Sequence, residues 1–264
     1  MSEIKFTPWE QRKAIIDSWK TASNAYPLTI SIIIYLIFVY IVLPKFMKNR
    51  EPFNINFIIR CYNVFLIFAC FYFVFQFRKY GLRFRRTWQC FNSFEDREHN
   101  MKEIDEVVWW FTMLRLFEFI ETVFFILRKK FDQVSFLHVY HHIGTVVCLY
   151  LFTKHNGGIM GIYFGAINSC IHIIMYGYYL ISSFENMRKF SNLIKPFLTA
   201  IQITQLSLLV GQSISALRPS CKVPKFLFII QGLNVLYLIY MFSKFFIKSF
   251  MKGKNKKKEM KNKQ

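Results

Sequence analysis

Hydrophobic and polar positions along this chain are sorted into long blocks rather than alternating every second residue. Seven apolar blocks, at about 27–42, 56–77, 107–127, 134–152, 159–181, 196–214 and 226–247, are separated by mostly short polar connections. A helix needs about 20 mostly apolar residues to cross the hydrocarbon layer, whereas a barrel strand needs roughly 10. Only helices or closed barrels satisfy every backbone polar group there. These blocks are too long and continuous for strands, so the pattern predicts an all-α polytopic membrane protein with seven transmembrane helices.

The remaining segments complete the organisation. Residues 1–26 form a polar N-terminal segment with Trp9 and Trp19 and no apolar core of a cleavable signal peptide, so the first span is expected to serve as the insertion signal. Residues 27–247 form the seven-span membrane domain, and the charged 78–106 connection is expected to hold short interfacial helices. Residues 248–264 are a lysine-rich tail, expected to be disordered because it has almost no apolar surface to bury.

Composition changes the picture in one respect. The 264 residues are 54% hydrophobic, with a formal charge of +20 and a mean hydropathy of +0.26. Such a charge invites a nucleic-acid partner. The basic residues, however, sit at block ends and in the tail, as loop charges of a membrane protein do. No zinc-finger spacing, basic zipper or RNA-binding aromatic signature accompanies them, which excludes that class. Seven spans put the termini on opposite sides. The lysine-rich tail then shares a side with the basic stretches at 45–50, 128–130 and 188–195, which assigns the C-terminus to the cytosol and the N-terminus to the far side.

Of six cysteines none forms a CxxC pair, so no zinc or thioredoxin-like site is supported. Cys61, Cys70, Cys148 and Cys170 lie in apolar blocks and read as packing residues. Cys90 and Cys221 lie in connections.

Candidate chemistry concentrates in the middle spans, whose polar faces must point inward. His138, His141 and His142 stand at i, i+3 and i+4, a spacing that places imidazoles near one helical face. Burying several polar groups in lipid is costly unless they are paired or used, so the cluster reads as functional. Arg115, Glu118, Glu121 and Thr122 follow a similar spacing. They read either as an ion pair joining helices or as carboxylates that orient a histidine. Asn168, His172, Met175 and Tyr176 form a stripe in the next span, with His172 joining the cluster. Thr199, Gln202 and Gln205 read equally as interhelical glue or as substrate contacts. Arg128, Lys129 and Lys130 close the third span just before the histidines, placed to meet a phosphate-rich head whose apolar tail enters the bilayer.

Together these segments resemble the fatty-acid elongase (ELO) family. FLHVYHH, ending at His142, is similar to that family's histidine box, and FFILRKK, ending at Lys130, to the segment before it. NSCIHIIMY from Asn168 resembles its NxxxHxxMY motif, LTAIQITQ from Leu198 its LTxxQxxQ motif, and Tyr62-Asn63 also fits. The motifs occur in the family's order over nearly the whole chain. One departs: KxxExxDT stands here as Arg115-Leu-Phe-Glu118-Phe-Ile-Glu121-Thr122. Charge signs survive, but arginine does not replace lysine geometrically and glutamate is a methylene longer than aspartate.

The resemblance implies an endoplasmic-reticulum enzyme with a lumenal N-terminus and six of its helices ringing a narrow acyl-chain tunnel. It would join a long-chain acyl-CoA to malonyl-CoA, lose carbon dioxide and CoA, and yield a 3-ketoacyl-CoA two carbons longer. For such a reaction histidine can serve as nucleophile or general base: His141 is the expected nucleophile, with His138 and His142 positioning it or shuttling protons, Glu118 or Glu121 orienting an imidazole, His172 assisting the malonyl step and Asn168 donating to developing oxyanion charge. Arg115, Arg128, Lys129, Lys130, Tyr176, Thr199, Gln202 and Gln205 would contact substrate, and Cys90 would pair with Cys221. No metal or other cofactor is expected. The other enzymes of the elongation cycle (ketoreductase, dehydratase and enoyl reductase) are implied partners alongside membrane lipid, with room for a homodimer. Two rival classes are weighed against this. A di-iron oxidase would want more ligands than His138, His141, His142 and His172 supply. A transporter would show an inverted repeat or a pair of broken spans. Among bulky residues able to limit chain length, Phe164, Phe197 and Tyr237 are candidates.

Overall fold

A computed structural model describes residues 16–19, 23–80, 101–155, 158–221 and 223–251. Among them there is no strand. The helices are α1 (Tyr26–Met47), α2 (Asn56–Lys79), α3 (Met101–Phe117), α4 (Ile120–Leu127), α5 (Phe136–Lys154), α6 (Gly158–Ser182), α7 (Arg188–Ala216) and α8 (Lys225–Phe246). Helices α1, α2, α5, α6, α7 and α8 are long and apolar enough to cross a membrane. Within α1, a π turn at Phe38–Val42 precedes Pro44. Such a turn accommodates a residue that has no N–H to give and whose ring crowds the preceding turn.

The third apolar block corrects the expected continuous span. It is two helices, α3 and α4, separated at Glu118–Phe119. Backbone bonds tighten there to a three-residue spacing: Phe119 N donates to Leu116 O at 3.1 Å, Glu121 N to Glu118 O at 3.0 Å and Thr122 N to Phe119 O at 3.2 Å. This tightening advances the chain by more than the usual 100° per residue. Across this break the two carboxylates meet different helices: Glu118 lies beside His172 of α6 and Glu121 beside His142 of α5.

Six elements close a circuit. Helix α2 packs on α6, α6 on α7, α7 on α8, α8 on α5, α5 on α3 and α3 back on α2. Helix α1 stands outside, where Tyr35, Val39, Leu43 and Met47 pack with Phe119 and Ile126 at the α3–α4 break and with Val139 and Val146 of α5. The bundle is apolar outside and polar within. Phe57, Phe68, Phe75 and Leu233 are exposed, while Arg115, Glu118, Glu121, His142, Asn168 and His172 are buried. That inversion suits a lipid solvent, in which apolar surface carries no cost and unpaired polar groups do.

Gly165 sets the approach of α6 to its neighbours. A Cβ there would lie 2.8 Å from the Phe77 ring of α2 and 3.2 Å from the Phe111 ring of α3. Deeper along α5 is a cavity lined by Cys148, Leu149 and Phe152 with Phe164 of α6 and Gln231 of α8, offering about 10 Å³ to the centre of a water-sized sphere. That is room for one water molecule. Phe164 lines this cavity, whereas Phe197 and Tyr237 are exposed, at 71% and 42%. Cys61 and Cys170 are exposed too, so only Cys70 and Cys148 serve as packing residues. Cys221 is disulfide-bonded, and Cys90 lies outside the described residues, as do much of the 78–106 connection, most of the N-terminal segment and residues 252–264.

Candidate active site

Helix α5 begins at a side-chain cap. Ser135 Oγ accepts a hydrogen bond from His138 N at 3.2 Å, satisfying one of the free donors of the first turn. His138 therefore sits in the first turn, and His141 and His142 in the next. At 100° per residue, positions 138 and 142 differ by about 40°, while 141 lies about 100° round from 142. The three rings do not converge on one point. His138 and His142 meet edge to face, with centroids 4.4 Å apart, and face the broken third span. His141 turns toward α6 and α8, with its ring 6.4 Å from that of His172 and 6.3 Å from that of Phe242.

Two clusters result. In the first, Glu121 Oε2 lies 3.8 Å from His142 Nε2. Thr122 Oγ1 is 3.0 Å from His138 Nε2, and the Tyr35 hydroxyl of α1 is 2.8 Å from the same Thr122 oxygen. In the second, Arg115 Nη1 donates to Glu118 Oε1 at 2.5 Å and to His172 Nδ1 at 2.5 Å. Glu118 Oε1 is 3.4 Å from that nitrogen. The guanidinium also lies 4.5 Å above the Phe111 ring and 3.9 Å from Cys70 Sγ. Arg115 and Glu118 are each 1% exposed.

In the second cluster the shorter contact to His172 Nδ1 is the Arg115 one. Arginine has donors only, so His172 Nδ1 must accept and the ring proton sits on Nε2. The Arg115–Glu118 pair lies within α3 and its break, and both members approach His172 of α6. His142 and His172 are buried, whereas His141 and His138 are half-buried. Asn168 is buried, with Oδ1 unbonded, one helical turn from His172.

The basic run is held by backbone geometry. Lys129 has φ 54°, the one non-glycine residue with positive φ among those described. Lys129 N donates to Ile126 O at 2.9 Å and Lys130 N to Phe125 O at 2.8 Å, the paired bonds that close a helix through a left-handed residue. Phe53 N donates to Leu127 O at 3.0 Å, tying the α1–α2 connection to the same turn. Arg128, Lys129 and Lys130 are half-buried beside the cap that starts α5.

Helix α7 contributes less directly. Thr199 Oγ1 bonds within its own helix, to Lys195 O at 3.2 Å. Gln202 Nε2 reaches Met175 Sδ at 3.7 Å, a contact between α7 and α6. Gln205 is buried. Tyr35 was not legible as a site residue: it lies in the most lipid-exposed span, and nothing in that apolar run marks the tyrosine that turns inward. Tyr62 and Asn63 carried only the resemblance, yet both are buried, and Tyr62 Oη and Asn63 Nδ2 have no hydrogen-bond partner. A polar pair inside an apolar block is the signal that marks them. Ligand atoms of Glu121, His138 and His142 all lie within 4.8 Å of one another, three groups of the chemistry that holds a metal ion.

Comparison with known proteins bears on all of this. The sequence model of the GNS1/SUR4 (ELO) family matches residues 20–258. Very long chain fatty acid elongase 4 of Macaca mulatta is 30% identical over 251 residues, covering 94% of this chain and 79% of that protein. Very long chain fatty acid elongase 5 of Mus musculus is 32% identical over 250 residues, covering 94% and 82%. Very long chain fatty acid elongase 2 of Mus musculus is 30% identical over 255 residues, covering 95% and 86%.

Proposed function

We propose that this chain, which belongs to the GNS1/SUR4 (ELO) family, is the condensing enzyme of fatty-acid elongation and joins an acyl-CoA to malonyl-CoA at His141. The observation that carries the assignment is the division of the imidazoles. His138 and His142 engage Thr122 and Glu121, His172 is held by Arg115, and half-buried His141 faces the ring interior without such a partner among the bonds described.

The chemistry runs in two halves. First the His141 imidazole attacks the acyl thioester. The C–S bond breaks, and the imidazole proton leaves with CoA as its thiol. Malonyl-CoA then loses carbon dioxide, and the electron pair of the broken C–C bond becomes an enolate. Its carbon attacks the acyl carbonyl, the C–N bond to His141 breaks, and the imidazole takes a solvent proton. His172, with Nε2–H directed by the Arg115 contact at Nδ1, donates to developing oxyanion charge, with Asn168 beside it. The acyl chain runs inward through the ring toward the Phe164 cavity, and Arg128, Lys129 and Lys130 hold the CoA phosphates. The reaction needs no metal. The protein works in the endoplasmic-reticulum membrane with its C-terminus cytosolic, Cys90 and Cys221 bonded on the lumenal side, and the other enzymes of the cycle consuming its product.

The test is direct. Purified protein with malonyl-CoA and a panel of acyl-CoAs yields 3-ketoacyl-CoA two carbons longer, and His141→Ala yields none. No product from folded wild-type protein with any acyl-CoA contradicts the proposal. The Glu121, His138 and His142 spacing favours one second reading, a metal-dependent enzyme. Stoichiometric metal together with activity lost to a chelator would select it.

A further inference from the structure

Two buried hydroxyls near the site have no use in the scheme above. Tyr62 of α2 is 7% exposed and Tyr176 of α6 is fully buried; the Tyr62 hydroxyl has no hydrogen-bond partner, whereas the Tyr176 hydroxyl faces the Glu121 carboxyl. The two are electrostatic neighbours of each other and of Glu118 and Glu121. The Tyr62 ring is clamped, edge-on to Phe124 with centroids 5.2 Å apart and tilted on Phe117 at 5.5 Å. Its hydroxyl therefore cannot swing out to the lipid headgroups. Tyr176 is fixed against His172, ring to ring at 5.5 Å. A buried hydroxyl left unbonded costs about 1–3 kcal/mol. Phenylalanine at position 62 would fill the same space without that cost.

A partner for the Tyr62 hydroxyl must bring a hydrogen-bond acceptor. An acyl chain has none beyond its thioester, and that group is consumed at His141. The malonyl unit brings a carboxylate and a thioester carbonyl. Resting on the condensing reading, we propose that Tyr62 and Tyr176 contact the malonyl unit, with Tyr62 donating a hydrogen bond to the oxygen that becomes the enolate oxygen. Neutral donors suit this step. Among the described residues, the guanidinium buried beside them, Arg115, is engaged by Glu118 and His172. As the C–C bond breaks, the negative charge moves from carboxylate to enolate oxygen, and an O–H donor strengthens as it arrives. The enolate carbon then forms the new C–C bond, and carbon dioxide leaves.

The two half-reactions separate this role from a structural one. With acyl-CoA alone, Tyr62→Phe releases CoA and forms the acyl-enzyme within about twofold of wild type. With malonyl-CoA added, Tyr62→Phe converts that acyl-enzyme about 100-fold more slowly, the loss ordinary for removing one oxyanion donor. Condensation by Tyr62→Phe at the wild-type rate overturns the inference while leaving the condensing reading intact. Parallel loss of both half-reactions also overturns it, since that is what disturbed packing produces. A wild-type protein that releases no CoA from acyl-CoA overturns the reading on which it rests.

Discussion

Arg115 offers the sharpest energetic prediction. Arg115→Met keeps most of the side-chain volume and removes the charge. In the native protein the guanidinium bonds Glu118 at 2.5 Å and His172 Nδ1 at 2.5 Å, with both members of the ion pair essentially inaccessible. The variant leaves the Glu118 carboxylate buried with only His172 Nδ1, at 3.4 Å, beside it. Removing one partner of a buried pair costs about 3–5 kcal/mol, whereas replacing both by uncharged groups is often close to neutral. At roughly 2–4 °C per kcal/mol for a protein of this size, the single variant loses about 10 °C in Tm. Arg115→Met/Glu118→Gln recovers most of that. Thermal unfolding in detergent, followed for the two single variants and the double, measures the coupling. A double variant that melts as low as Arg115→Met refutes the buried-charge reasoning. So does a single variant within about 1 kcal/mol of wild type. Both variants lose condensation, because His172 loses the donor that fixes its tautomer.

Three further outcomes follow from the geometry. Glu121→Gln removes the carboxyl opposite His142 and lowers kcat about 100-fold with Tm nearly unchanged, the loss expected of a positioned acid–base group, read by steady-state kinetics alongside melting. Lys129→Gly removes an ammonium and relieves a left-handed non-glycine residue. It raises Tm through about 1 kcal/mol of relieved strain while raising KM for both CoA substrates about tenfold; a fall in Tm would contradict the strain. Phe164→Ala enlarges the one-water cavity between α5, α6 and α8 and shifts the preferred product longer by about two carbons, since truncating a buried aromatic opens volume the chain can fill; an unchanged product distribution by mass spectrometry places the chain elsewhere.

Much of this was legible before the structure, for physical reasons that also mark the limits. Helix α2 was expected at 56–77 and is Asn56–Lys79; α5 was expected at 134–152 and is Phe136–Lys154. Lipid forces continuous apolar runs, and such runs are visible in a sequence. The break at Glu118–Phe119 was not, because no glycine or proline announces it; it becomes apparent only once two carboxylates are seen turned to different helices. Histidine spacing located the cluster but overstated its convergence, since His141 lies a quarter-turn from His142. The Arg115 contact to His172 spans 57 residues and depends on how α3 meets α6, which no local pattern encodes. Inward and outward faces were equally hidden: a uniformly apolar run cannot tell Cys70, buried, from Cys61, exposed, nor Phe164 from Phe197.

The central claim is that His141 carries the acyl group between the two substrates. Intact-protein and peptide mass spectrometry after incubation with acyl-CoA alone tests it most directly. The account predicts one acyl group per chain, on the peptide containing His141, formed with equimolar CoA release, absent in His141→Ala and discharged as 3-ketoacyl-CoA when malonyl-CoA is added. An acyl group that still forms in His141→Ala, or product formed with no acylated chain at any time, contradicts it.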